Sequence, residues 1–119
     1  MQFVLDTNAV IYLQKGLLAE ALSPGNYGIS VITEMELLAF TGLDSTQLFW
    51  LRRFLDAMVL IDLDREVRTC AIELRKNYRL KLPDAIVAAS AITRNATLIS
   101  NDTQLARIAG LRLQVLRLI

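Results

Sequence analysis

Short apolar runs alternate with segments of helical periodicity along almost the whole chain, and this alternation restricts the fold more than any other feature. Gln2-Phe3-Val4-Leu5, Tyr27-Gly28-Ile29-Ser30-Val31, Met58-Val59-Leu60-Ile61, Thr97-Leu98-Ile99-Ser100 and Leu113-Gln114-Val115-Leu116 read as strands. An apolar helical turn through Ala9, Val10, Ile11 and Leu13 follows the first, and Ser23-Pro24-Gly25-Asn26 is a turn before the second. A helix is predicted from about Thr33 to Phe40, broken by Gly42, and another from a cap at Asp44 or Ser45 to about Ala57. Asp64 opens a long helix to about Tyr78, with Val67, Ala71, Leu74 and Tyr78 at helical spacing. Pro83 stands in the first turn of a helix rich in small residues that continues to about Arg94. A short helix from Asp102 to Ala109 is stopped by Gly110.

Strands that are apolar throughout belong to parallel sheets buried on both faces. Right-handed crossovers then set the helices in two layers, so the expected architecture is a three-layer α/β/α sandwich around a parallel sheet. With 119 residues and no linker, repeat or low-complexity stretch, residues 1–119 form one domain. In such sheets ligands gather outside the carboxyl ends of the strands, where the connection order reverses.

Hydrophobic residues make up 54% of the chain, which exceeds the usual share for a soluble domain. Phe40, Leu48, Phe49 and Trp50 place more bulk on consecutive helices than one buried face readily absorbs, so a partner groove and a plain core both remain open readings there. The lone cysteine, Cys70, has no internal partner, and Val67, Ala71 and Leu74 around it make it a small apolar core residue rather than a reactive thiol. No secretory signal pattern and no bilayer-length apolar stretch is present, which points to the cytoplasm and away from a membrane. The absence of histidine excludes Ser-His-Asp catalysis and His-ligated zinc. Any chemistry must run on carboxylates, lysines, hydroxyls or a bound metal.

The net charge of +1 gives little overall attraction to a polyanion. The basic residues are nevertheless concentrated: Arg65, Arg68, Arg75, Lys76, Arg79 and Lys81 lie close in sequence against only Glu66 and Glu73. This is either a solvated helix face or a strip that contacts phosphates, with Arg75, Lys76, Arg79 and Lys81 as the candidate contacts.

Three strands lead into an acid: Leu5 into Asp6, Ser30 through Thr33 to Glu36, and Ser100 through Asn101 to Asp102. Asp84 occupies the first turn of the helix that precedes the Thr97 strand. Each has an ordinary explanation. Asp6 or Asn8 can cap the next helix, Thr33-Glu34-Met35-Glu36 matches a capping box, Asp84 complements a helix dipole, and Asp102 resembles an N-cap. Together, however, one parallel sheet brings all of them to one edge. Carboxylates crowded in one concavity repel one another and require a neutralising partner. Oxygen donors without His or Cys suit Mg²⁺ or Mn²⁺, which can lower the pKa of a water and stabilise charge on a phosphodiester.

These residues resemble the PIN-domain ribonucleases, and especially the VapC-type toxins of toxin–antitoxin pairs. Four segments carry the likeness, in family order and across almost the whole chain: Val4-Leu5-Asp6-Thr7-Asn8; Ile29-Ser30-Val31-Ile32-Thr33 with Glu36-Leu37; Leu82-Pro83-Asp84-Ala85 with Ile86-Val87-Ala88-Ala89; and Ile99-Ser100-Asn101-Asp102. The resemblance implies a three-layer α/β/α fold, one or two Mg²⁺ or Mn²⁺ ions, and RNA cleavage that leaves a 5′-phosphate and a 3′-hydroxyl. By position it implies Asp6 and Asp84 as principal ligands, Glu36 as a ligand or the group that polarises the attacking water, and Asp102 completing a second metal site. Thr7, Asn8 and Ser100 are then groups that orient the carboxylates. Glu34 is close enough to replace Glu36 if the helix begins differently, although Glu36 has the family spacing from Ser30 and Thr33. A cognate antitoxin that covers the pocket and a homodimer are implied as partners.

Three other readings compete. The same nuclease fold can serve RNA processing with no antitoxin. A catalytically inactive PIN domain can serve as a binding module, although the presence of all four acids opposes it. A phosphoryl-transfer domain is the third: a phosphatase wants a second acid where this chain has Asn8, and a receiver wants an acidic pair and a late lysine, neither of which is found.

Overall fold

The computed structural model describes residues 1–119 and contains strands β1 (Phe3–Leu5), β2 (Tyr27–Ser30), β3 (Val59–Ile61), β4 (Thr97–Ile99) and β5 (Arg112–Gln114). They form one sheet in the order β3-β2-β1-β4-β5, with every neighbouring pair parallel. The helices are α1 (Thr7–Gln14), α2 (Val31–Ala39), α3 (Ser45–Asp56), α4 (Arg65–Tyr78) and α5 (Leu82–Thr93).

Side chains alternate across a strand, and the core divides accordingly. Leu5, Ile29 and Ile99, which are in register on β1, β2 and β4, pack with Ala9 and Val10 of α1, Leu37 of α2 and Leu51 of α3. Val4 and Leu98 point the other way, onto Val67, Ala71 and Leu74 of α4 and the buried face of α5. The three-layer α/β/α sandwich expected from the sequence is therefore observed.

Helix α5 lies between the sheet and α4, and every residue from Ala85 to Ala91 is buried. Its small side chains permit close approach on two sides at once. The Ser90 hydroxyl, buried in that run, donates to the Ile86 carbonyl at 2.7 Å and so needs no outside partner. The α4–α5 hairpin is clamped at its far end by Arg94, which meets Asp64 at 2.8 Å.

Several element ends differ from expectation, each for a local reason. Ser30, not Thr33, caps α2: its hydroxyl accepts from the Ile32 amide at 3.2 Å, so the helix begins at Val31. The capping box lies instead on α3, where Asp44 and Gln47 satisfy each other's backbone amides. The expected last strand shifts to Arg112–Gln114 because Asn101 takes over Leu116, accepting from its amide at 2.7 Å and donating to its carbonyl at 3.1 Å. The segment after Asp102 is a 3₁₀ turn over Thr103–Arg107 rather than an α-helix. Cys70 packs against the α4–α5 core but is only half-buried, less than its flanks predicted.

Chain direction across the sheet reverses between β1 and β4. From β1 the chain proceeds to β2 on one side, and from β4 to β5 on the other. The carboxyl ends of these two central strands therefore open a crevice, and Asp6 and Asp102 follow them.

Candidate active site

Asp6 leaves β1 in an extended conformation and caps α1, its Oδ1 accepting from the Ala9 amide at 2.8 Å. The Ser100 hydroxyl lines the same crevice and favours the ionised form of the Asp6 carboxylate. Ser100 is fully buried at the end of β4 and accepts from the Asp102 amide at 3.1 Å. One serine thus stands beside the first acid and holds the backbone of the last. Asp102 caps the 3₁₀ turn, accepting from the Gln104 amide at 3.1 Å. The simple capping roles of Asp6 and Asp102 are real, and each leaves the carboxylate facing the crevice.

For Glu36 the ordinary explanation fails. With α2 starting at Val31, Glu36 lies inside the helix and caps nothing. Its carboxylate accepts a 2.6 Å hydrogen bond from the Thr7 hydroxyl. Thr33, buried one helical turn before Glu36, has its hydroxyl 3.3 Å from that of Thr7. Thr33 is thus an orienting group, a role beyond the capping position and the motif spacing that the sequence assigns to it. Its spacing of three from Glu36, which puts both on one helix face, was the available signal.

Asp84 enters from the first turn of α5, after Pro83, which is tolerated there because a first-turn residue needs no helical amide. Asp6, Glu36, Asp84 and Asp102, with Thr7, Asn8 and Ser100, line one cavity of about 190 Å³, completed by Pro83, Val87 and Leu105. Glu34 is absent from this lining, so the position of Glu36 is the one that faces the other acids. Asn8 faces the same space, with no side-chain hydrogen bond to fix a carboxylate.

Electrostatics agree with this convergence. Burial pushes the Asp6 carboxyl above its ordinary range; Ser100 and the Ala9 amide oppose that, and the charges of Asp84 and Asp102 add to it. Asp84 is pushed up by burial and by Asp102; Lys81 opposes this, and Glu36 contributes in the same upward sense. Negative charge in the cavity is therefore undercompensated by the protein. No three Asp, Glu or Cys side chains are grouped closely enough to hold a metal ion as placed. Side chains repelled by like charge need a cation before they can close together, and an all-oxygen donor set fits a hard divalent ion.

The basic residues separate into two groups. Arg65 and Arg68 occupy the start of α4, and Arg68 donates to the Leu63 carbonyl at 2.7 Å. Arg79, at the other end, is some 20 Å along the helix axis from Arg65. Lys76, Arg79 and Lys81 are exposed near the α4–α5 connection that leads to Asp84. Arg75 there donates to the Leu80 carbonyl at 3.3 Å, and Lys76 lies 3.8 Å from Glu73. Of the bulky residues, Phe40 and Phe49 are 64% exposed and Trp50 is 37% exposed, whereas Leu48 is half-buried. A plain core does not account for them.

A family model described as PIN domain matches residues 3–111. Among solved structures, a chain of a toxin–antitoxin complex from Klebsiella pneumoniae is 30% identical, with 92% of this chain and 95% of that chain covered and a TM-score of 0.76. VapBC-5 from Mycobacterium tuberculosis is 26% identical over 98% of both chains, with a TM-score of 0.69. VapBC2 from Rickettsia felis shares the fold at 23% identity, covering 97% and 98% of the two chains with a TM-score of 0.79. No curated protein matches significantly. The family match spans nearly the whole sequence and includes every acid in the cavity, and on that ground the chain belongs to the PIN-domain family.

Proposed function

We propose that this chain is a Mg²⁺- or Mn²⁺-dependent endoribonuclease, and that it acts as the toxin of a VapBC-type pair. The observation that carries the catalytic reading is the meeting of Asp6, Glu36, Asp84 and Asp102 in one cavity, where burial and mutual charge raise the Asp6 and Asp84 carboxyls. The relatives drawn from toxin–antitoxin complexes support the toxin role, most directly the one at 30% identity.

Asp6, Asp84, Glu36 and Asp102 would hold the divalent ion, which supplies neutralisation of the phosphodiester charge and acidification of a water. The protein's own part is positional. The Ala9 amide fixes Asp6, the Gln104 amide fixes Asp102, and Thr7 fixes Glu36. A carboxylate so oriented at Glu36 can accept a proton from the attacking water. Lys81 lowers the local negative potential next to Asp84, which favours approach of a polyanion. Lys76, Arg79 and Lys81, with Arg75 where it is free of Leu80, are the candidate phosphate contacts outside the cavity.

The exposed Phe40, Phe49 and Trp50 offer apolar area for the antitoxin and for homodimerisation. No helix is long and apolar enough to cross a membrane, and a cytoplasmic location suits a chain that acts on RNA. The deciding experiment is cleavage of RNA by purified protein with Mn²⁺, with mapping of the new ends. Cleavage that yields 5′-phosphate ends and disappears in Asp6→Ala supports the reading; unchanged, EDTA-sensitive cleavage by both Asp6→Ala and Asp84→Ala would refute it.

A further inference from the structure

Thr7 and Glu36 form the wall between two cavities. One side is the acid crevice, and the other is a larger space of about 530 Å³ between α1, α2 and α3. Ile11, Leu37, Leu43 and Leu51 make the walls of that second cavity apolar, and Phe40 stands at its rim. The Phe40 ring folds back over Gly42, where an added Cβ would stand 2.6 Å from a ring carbon. Glycine at that position therefore leaves room for the exposed ring beside the cavity.

We propose that this second cavity receives one unstacked nucleobase of the RNA, next to the phosphodiester that the acids address; the inference rests on the nuclease reading given above. Three features favour a base. The cavity shares Thr7 and Glu36 with the acid crevice, so its occupant lies directly beside the acids. Its polar edge is fixed: Gln14 donates to the Gln47 carbonyl at 3.1 Å, which leaves its own amide oxygen as an acceptor. Gln47 accepts from the Asp44 amide at 3.0 Å through its side-chain oxygen, which leaves its NH₂ as a donor. An acceptor and a donor beside an aromatic ring match how single-stranded RNA bases are recognised, by stacking and by hydrogen bonds to their edges. Exposed Lys15 on the same lining supplies a cation for a flanking phosphate. An apolar protein segment would use the walls but would draw nothing from Lys15.

The test uses short single-stranded oligoribonucleotides with 2-aminopurine at successive positions, titrated into the full chain with Ca²⁺. Anisotropy reports binding, and 2-aminopurine emission reports the surroundings of each base. The expected result is an emission change confined to one position, lost in Phe40→Ala and retained in Phe40→Trp. Affinity in Phe40→Ala should fall about 5- to 10-fold, the low end of the effect of removing one base-stacking ring. Bound RNA with the same emission at every position, or full affinity in Phe40→Ala, overturns the subsite while leaving the nuclease reading intact. Phe40→Ala that weakens only an amphipathic leucine-rich peptide, with RNA unaffected, assigns the cavity to a protein partner and also overturns it. Failure of the wild-type chain to bind RNA at all removes the nuclease reading and the subsite with it.

Discussion

The Thr7 hydroxyl donates to the Glu36 carboxylate at 2.6 Å, joining the first residue of α1 to the middle of α2 across a sequence separation of 29. This bond holds a cavity acid that caps no helix, and the Thr33 hydroxyl supports it through that of Thr7. Thr7→Val keeps the shape and removes the donor. Cleavage and Mn²⁺ affinity should each fall about 10- to 100-fold, the usual cost of losing a group that orients a ligand. Calorimetric Mn²⁺ titration beside cleavage rates checks this, and thermal melting should show the fold retained.

Asp84 carries a charge that its surroundings disfavour without a cation. Asp84→Asn should therefore melt slightly higher than wild type in EDTA at neutral pH, while cleavage falls by about 10³-fold or more, as expected from losing several kcal/mol of charge stabilisation. Mn²⁺ should raise the wild-type melting temperature and leave the variant's nearly unchanged. Melting curves with and without Mn²⁺ test both parts.

The Asp64 carboxylate is held below its usual range by the Val67 amide and by Arg94. A lowered folded-state value means the stabilisation is fully present above the ordinary Asp range, near pH 4, and is lost as pH falls through the lowered value. Asp64→Asn keeps the cap but not the charge. Its melting temperature should lie modestly below wild type at pH 7, and the two should converge in strong acid. Melting across pH 2–7 checks it.

Arg79 ends α4 in the left-handed conformation, with φ of 56°, that glycine adopts freely. Arg79→Gly therefore separates charge from conformation. Stability should hold or rise, whereas RNA affinity should fall, with a salt dependence shallower by about one phosphate contact. Identical RNA affinity and salt slope would make this end of α4 a solvated face.

Trp50 is the only tryptophan, partly exposed and stacked on Phe54 at 5.0 Å between ring centroids. Addition of the antitoxin should shift its emission to the blue, and Phe49→Asp should weaken the complex about tenfold or more, as for an aromatic anchor at an interface. Fluorescence titration measures both. An unchanged spectrum in a formed complex would place the antitoxin elsewhere.

The sequence by itself determined the layers of this protein. Apolar runs such as Val4-Leu5 and Leu98-Ile99 can be buried on both sides only in a covered parallel sheet, and the helical spacing of Val67, Ala71 and Leu74 marks a face that must cover it. It also singled out the acids that line the cavity, because Asp6 and Asp102 follow strands whose ends meet where the connection order reverses. Three-dimensional packing decided what each acid does besides cap a helix. The spacing from Ser30 and Thr33 favoured Glu36 over Glu34, and the fold decided between them by turning Glu36 toward Thr7 and the cavity. The basic stretch from Arg65 to Lys81 is continuous in sequence yet divided in space, since a straight helix carries its two ends apart. The cavity behind Glu36 is formed by α1, α2 and α3 together, and no local pattern encodes a space that three separate segments enclose.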